Sequence, residues 1–141
     1  MEKLINYKVP YLTRGTVFRL PAQWTYENFV DFMILEASPA FKMQVDKTIP
    51  TFALTASTGY HGGHLFGVIP DEAIVNVNEE IAQKYDLKVA QVLKTDWFIE
   101  NWTDWIYPDC DVKDVYVIPQ GYQSESLDGT AINYSRDLKM K

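Results

Sequence analysis

The segment Thr95-Asp96-Trp97-Phe98-Ile99-Glu100-Asn101-Trp102-Thr103-Asp104-Trp105-Ile106-Tyr107-Pro108-Asp109-Cys110 limits the fold more than any other part of the chain. It holds three of the four tryptophans and the single cysteine. Phe98, Trp102, Trp105 and Ile106 recur at i, i+4, i+7 and i+8, which is one apolar stripe of an amphipathic helix. Thr95 is placed to be the N-cap, with a hydroxyl that accepts from a first-turn N–H. Asp96 follows, where a carboxylate meets the positive end of the helix dipole. Pro108 has no N–H and turns Tyr107 away from helical geometry, so the helix is expected to stop near Ile106. Asp96, Glu100 and Asp104 recur every four residues and form a carboxylate row on another face. Such a helix needs an apolar surface to lie on and leaves an anionic ridge outward.

The rest of the chain supplies that surface as short apolar runs cut by proline and glycine. Gly15-Thr16-Val17-Phe18-Arg19-Leu20 reads as a strand ended by Pro21. Thr51-Phe52-Ala53-Leu54-Thr55-Ala56 and Leu65-Phe66-Gly67-Val68-Ile69 read as two strands of an antiparallel hairpin, joined by a loose loop through Gly59, Gly62 and Gly63. Val115-Tyr116-Val117-Ile118 is a further strand, ended by Pro119. Trp24-Thr25-Tyr26-Glu27-Asn28-Phe29 reads as a helix start, with Thr25 as N-cap and Trp24 and Phe29 as a hydrophobic staple. The run that follows, residues 29–36, fits helix or strand, and its spacing does not choose between them. Asn78 is placed to cap a second helix carrying Glu79 and Glu80 in its first turn. Ile81, Tyr85, Val89 and Val92 continue at helical spacing, with a potential break at Tyr85-Asp86. Pro10 argues against a continuous strand in residues 1–14. Residues 38–50 read as a loop.

Strands and helices mix without βαβ alternation. The expected class is therefore α+β: an antiparallel sheet with two or three helices packed against it. The 141 residues fit one domain. Its core is expected in residues 14–118, and the polar tail, 120–141, either adds an edge strand or frays.

Charge narrows the function. The net charge is −6. Residues 71–114 hold eleven acids and four bases, a net of −7, and the remainder is +1. A nucleic-acid binder wants the opposite sign, whereas an acidic block suits a basic protein partner and speeds encounter with it. No run approaches the roughly 20 apolar residues of a membrane span, and the first residues lack the apolar stretch of a signal peptide. One cysteine forms no internal disulfide. A cytoplasmic protein without membrane or nucleic-acid partners is the expectation.

Few residues point to catalysis. His61 and His64 stand three apart without a third ligand nearby, so no metal is expected. Cys110 lies between Asp109 and Asp111, which oppose thiolate formation. Gly59-x-x-Gly62-Gly63 lacks the Lys and Ser/Thr of a phosphate loop, so no nucleotide cofactor is expected. By helical phase the row Asp96, Glu100 and Asp104 is exposed, which gives no reason for acid–base tuning. Trp97 lies off the apolar stripe and Tyr107 at the helix end, so these two are the surface aromatics suited to an interface. The candidate partner-binding residues are Asp96, Trp97, Glu100, Asp104, Tyr107, Asp109, Asp111 and Asp114.

Several local patterns together resemble one family. They are Arg14-Gly15-Thr16-Val17-Phe18-Arg19-Leu20-Pro21, then Trp24-Thr25-Tyr26-Glu27-Asn28-Phe29-Val30-Asp31, then Thr58-Gly59-Tyr60, then Trp97-Phe98-Ile99-Glu100-Asn101-Trp102 running into Tyr107-Pro108-Asp109-Cys110. Over residues 14–118 the chain resembles immunity protein 45, a family of bacterial immunity proteins of polymorphic toxin and contact-dependent growth inhibition systems. The resemblance implies a non-enzymatic cytoplasmic protein that binds the C-terminal domain of one cognate toxin, often a nuclease. Many nuclease domains are basic because they hold phosphates, and an acidic inhibitor then competes for that surface. Two other classes remain open: an aromatic-rich module for carbohydrate or peptide, and a small hydrolase using carboxylates of the acidic block. Against the first, the best-placed tryptophans look committed to the core; against the second, a nucleophile–base or metal constellation is missing.

Overall fold

The computed structural model describes residues 1–37 and 51–122. The loop reading of residues 38–50 and the tail beyond Tyr122 lie outside these residues. In chain order the strands are β1 (Glu2–Lys3), β2 (Tyr11–Leu12), β3 (Val17–Pro21), β4 (Phe29–Ala37), β5 (Thr51–Ala56) and β6 (Leu65–Ile69). They are followed by β7 (Ile74–Asn76), the helix α1 (Glu79–Tyr85), β8 (Gln91–Lys94), the helix α2 (Thr95–Asn101) and β9 (Tyr116–Ile118). One antiparallel sheet has the order β1-β9-β3-β4-β5-β6, and a second has the order β2-β8-β7. The α+β class is thus observed.

The register of the larger sheet explains its two faces. Phe18 pairs with Phe32 and Val117, Leu20 with Val30, Ile34 with Leu54, and Phe52 with Ile69. Because side chains alternate across a strand, all of these fall on one face, and all are buried. Phe98 and Trp102 pack on this face, their rings 5.0 and 5.3 Å from that of Phe18. Arg19 and Asp31, paired in register, fall on the other face. Leu4 and Leu12, N-terminal to the stretch expected to hold the core, join it. Leu4 is drawn in by its N–H, which donates to the Val115 carbonyl at 2.9 Å.

Three local expectations need correction, and one left open is resolved. Trp24 to Phe29 is not a helix start but the loop joining β3 to β4. Its N–H groups are used in turns: Tyr26 N donates to Gln23 O at 2.8 Å and Ala22 N to Asn28 O at 2.8 Å. Phe29 takes up strand register opposite Pro21, so no staple forms. The ambiguous run 29–36 resolves as strand, since β4 lies between β3 and β5 and half-alternates in burial. The helix capped by Asn78, whose Oδ1 accepts from Ile81 N at 2.8 Å, ends at Tyr85. Asp86 follows with φ +53°, and the chain returns as β8. Val92 is therefore a buried strand residue and not a continuation of α1.

The third correction concerns Thr95. It lies inside the first turn of α2, and the preceding Lys94 occupies the cap position without a side-chain cap bond. The Thr95 hydroxyl instead donates to Val9 O at 2.8 Å, and its N–H to Pro10 O at 2.9 Å. These bonds tie the N-terminal segment to the start of the tryptophan helix. The short strands β1, β2, β7 and β8 were not legible from composition.

Candidate functional site

The helix ends as Pro108 requires, but through a wider turn than an α-helix. Residues Trp102–Ile106 form a π-helical turn closed by Tyr107 N donating to Trp102 O at 3.0 Å. Just before it, the Asn101 side-chain amide donates back to Trp97 O at 2.9 Å. A π turn carries more residues per revolution than an α turn, so side chains after it leave the phase the sequence suggests. Phe98, Trp102 and Ile106 are buried as expected.

The two remaining tryptophans exchange roles. Trp97, expected at the surface, is 6 % exposed, and Trp105, expected in the apolar stripe, is 54 % exposed. The indole of Trp105 meets that of Trp97 at an angle of 58°, with ring centroids 6.0 Å apart. Tyr107, also expected at the surface, is buried. Its ring packs near Phe32, Tyr26 and Phe66, and its hydroxyl accepts from Gln23 N at 3.3 Å. Extended backbone at Tyr107 turns its side chain inward once the helix has ended. Trp97 and Tyr107 therefore leave the set of direct contact candidates, and Trp105 enters it. The π turn, which the sequence pattern does not display, follows Trp97 and bears only on Trp105 and Tyr107.

The carboxylates keep their expected places. Asp96, Glu100, Asp104, Asp109 and Asp111 are exposed, and Asp114 is half-buried. Among the described residues the ion pairs are Arg14–Glu36 and Arg19–Asp31, so no Lys or Arg neutralises Asp96, Glu100 or Asp104. Asp111 Oδ1 accepts from Lys113 N at 3.0 Å and caps a single helical turn, which gives that residue a structural use. Cys110 is buried, and its thiol donates to Asp111 O at 3.3 Å. Burial first, then Asp114 and Asp111, push its pKa up, which disfavours the thiolate that nucleophilic chemistry needs.

Asp31 is the buried charged residue among those described. Arg19 grips it through two bonds of 2.8 Å, and the Tyr122 hydroxyl donates to its Oδ2 at 2.5 Å. The carboxylate is committed to this network and not poised over a cleft. No group of three or more His, Cys, Asp or Glu among the described residues is arranged to hold a metal ion.

A second surface feature lies where the β3–β4 and β5–β6 loops meet. Trp24, Thr25, Tyr26, Glu27, Tyr60 and His61 line a cleft of about 480 Å³. Trp24 is 93 % and Tyr60 85 % exposed. The Tyr26 ring sits 5.0 Å from that of His61 and 6.1 Å from that of Tyr107 below. His61 Nε2 is 3.1 Å from Thr25 O, which makes it the donor and leaves Nδ1 to accept from His64 Nδ1 at 3.3 Å. The histidines thus stitch the loops together. In the sequence the staple-like spacing of Trp24 and Phe29 concealed this cleft.

With the geometry in place, the comparisons with known proteins are specific at one level. The family model of immunity protein 45 matches residues 4–117. No curated protein and no solved structure gives a significant match. The chain belongs to the immunity protein 45 family, and the family implies a toxin protein as its partner.

Proposed function

We propose that this protein neutralises the C-terminal domain of one cognate bacterial toxin, a basic nuclease domain, by covering it with the acidic face of α2 and the π turn. The observation that carries the reading is the coexistence of three exposed, unneutralised carboxylates, Asp96, Glu100 and Asp104, with an exposed tryptophan, Trp105, beside the last of them. Tryptophan is favoured at the energetic centre of interfaces, and surrounding charges set approach and orientation. Asp109, on the exposed turn after Pro108, extends the anionic surface. The protein acts as a stoichiometric binder in the cytoplasm and needs no cofactor or metal. The buried thiol of Cys110 and the engaged carboxylate of Asp31 support a binder over a hydrolase.

The test is co-expression with a toxin C-terminal domain, the first candidate being any such domain found in a gene adjacent to this one. Cells making that domain alone should stop growing, and cells making both should grow and yield an equimolar complex on purification. Growth arrest unrelieved by this protein, with no complex recovered, would refute the pairing.

A further inference from the structure

The loop cleft is remote in sequence from the acidic helix, and that helix does not explain it. Its walls are the rings of Trp24, Tyr26, Tyr60 and His61, and Glu27 brings the carboxylate. Glu27 is exposed, and one hydrogen bond ties it across the cleft. Its Oε2 accepts from Tyr60 N at 3.0 Å across the two loops. It also lies so close over Gly59, at φ +73°, that a Cβ there would come within 1.9 Å of Oε1. Only a glycine leaves that space and adopts that φ without strain. The Tyr60 N–H bond is the main cause of the lowered Glu27 pKa, which keeps the group anionic. No Lys or Arg among the described residues pairs with it.

The loops that present the rings are also fixed. Gly62 N donates to Gly59 O at 3.0 Å, Gly63 N to Ala56 O at 2.6 Å, and Gln23 N to the Tyr107 hydroxyl. Exposed aromatic faces around one fixed carboxylate are the composition that attracts a cation. The ring quadrupoles and the carboxylate act in the same direction on a cation. A neutral apolar ligand would gain nothing from Glu27.

We propose that the cleft formed by Trp24, Tyr26, Glu27 and Tyr60 receives an arginine or lysine side chain presented by the toxin domain. This rests on the immunity reading for the source of the side chain, but the chemistry of the cleft does not. Two measurements keep these apart.

The first uses the protein alone. The indole N–H resonance of Trp24, assigned with Trp24→Phe, is followed by NMR during titration with acetyl-Gly-Arg-Gly-amide and its glutamine counterpart. The arginine peptide should give a saturable shift and the glutamine peptide none. Glu27→Gln, whose amide oxygen still accepts from Tyr60 N, should weaken binding roughly 3- to 30-fold, the range for losing one such contact. Equal shifts with both peptides, no saturation, or unchanged affinity in Glu27→Gln would overturn the cleft. The second uses the complex with the toxin domain. Trp24→Ala and Glu27→Gln should each speed its dissociation. A complex that forms normally and dissociates unchanged in both variants overturns the inference while the immunity function stands. Absence of any complex with the wild type refutes the toxin as the source, and the peptide titration still decides the cleft.

Discussion

The indole of Trp105 meets that of Trp97 at an angle of 58° and a centroid separation of 6.0 Å, the outer ring 54 % exposed and the inner one 6 %. One member of this tilted pair is in the core and the other at the surface. Trp97 also meets Phe98 edge-on at 5.1 Å. Trp97 therefore carries packing, and Trp105 shields it on one side while offering its other face outward. The two should separate in mutagenesis. Trp97→Ala should cost about 3–5 kcal/mol, the range for emptying a large buried aromatic site. Trp105→Ala should cost about 1 kcal/mol, the value of a ring contact at a half-exposed position. Urea unfolding of both variants checks this, and a larger loss in Trp105→Ala would reverse the assignment.

Trp102 is fully buried, and its indole Nε1 has no hydrogen-bond partner; nor does that of Trp97. An unpaired buried donor carries its desolvation cost without return. Trp102→Phe removes that donor along with some volume, so the two effects oppose one another. Trp102→Ala removes the same donor but empties far more volume, so there the cavity cost dominates. We expect about 3–5 kcal/mol for Trp102→Ala and less than about half of that for Trp102→Phe. Equal losses by chemical denaturation would show that the ring kept in Trp102→Phe fills none of the site.

Tyr122 connects its hydroxyl to Asp31 and to Ser57 Oγ at 2.9 Å. Burial, then the bond to Asp31, raises its pKa above 10.0, and burial likewise raises Tyr7 and Tyr26. A raised folded-state pKa means that the unfolded chain loses its phenolic protons first. Stability from these groups is thus complete below the unfolded value and is lost as pH rises through the folded one. Melting temperature should hold to about pH 9 and fall beyond about pH 10. Tyr122→Phe should be less stable at neutral pH and lose less on the alkaline side. An alkaline fall as steep as that of the wild type would remove Tyr122 from this linkage.

Much of the sheet was readable because its strands carry their own signal. Val17 to Pro21, Thr51 to Ala56 and Leu65 to Ile69 are β-branched or aromatic runs with proline or glycine at their ends. Asn78 announced α1 because a cap acts locally, through one side chain and one N–H. The short strands β1, β2, β7 and β8, of two to four residues, had no such signal. Too short to show a period, they exist through pairing with distant partners, as Tyr11 does with Lys94. Trp24 to Phe29 was misread because a staple and a hairpin loop can share the same residues. There the tertiary choice was made by Phe32, which pairs with Phe18 and Ala56 and draws the run before it into strand. The carboxylate row survived since exposure on a helix follows from spacing. Trp105 and Tyr107 did not keep theirs, because the π turn breaks that spacing after Asn101; Trp97, before the turn, is buried although it lies off the stripe.

The acidic ridge gives the most direct test of how the partner is met. Asp96, Glu100 and Asp104 are exposed and have no basic neighbour at ion-pair distance among the described residues. Removing their charge therefore breaks no ion pair seen in the fold, and replacement by Asn or Gln should leave stability within about 0.5 kcal/mol. For a basic toxin domain, these charges act mainly before contact. Rim charges raise the association rate and make it salt-dependent, whereas desolvated pairs govern dissociation. Salt at physiological strength screens beyond about 8 Å, so the difference between wild type and triple variant should be largest at low salt and shrink as salt is added. Stopped-flow association with the toxin domain should show a slower rate and a flatter salt dependence for the triple variant. Protection of toxin-expressing cells should weaken further where one of the three carboxylates is buried in the complex. A solubility role alone predicts the same association rate for both proteins at every salt concentration. That result would remove the ridge as the binding surface even if the complex itself formed.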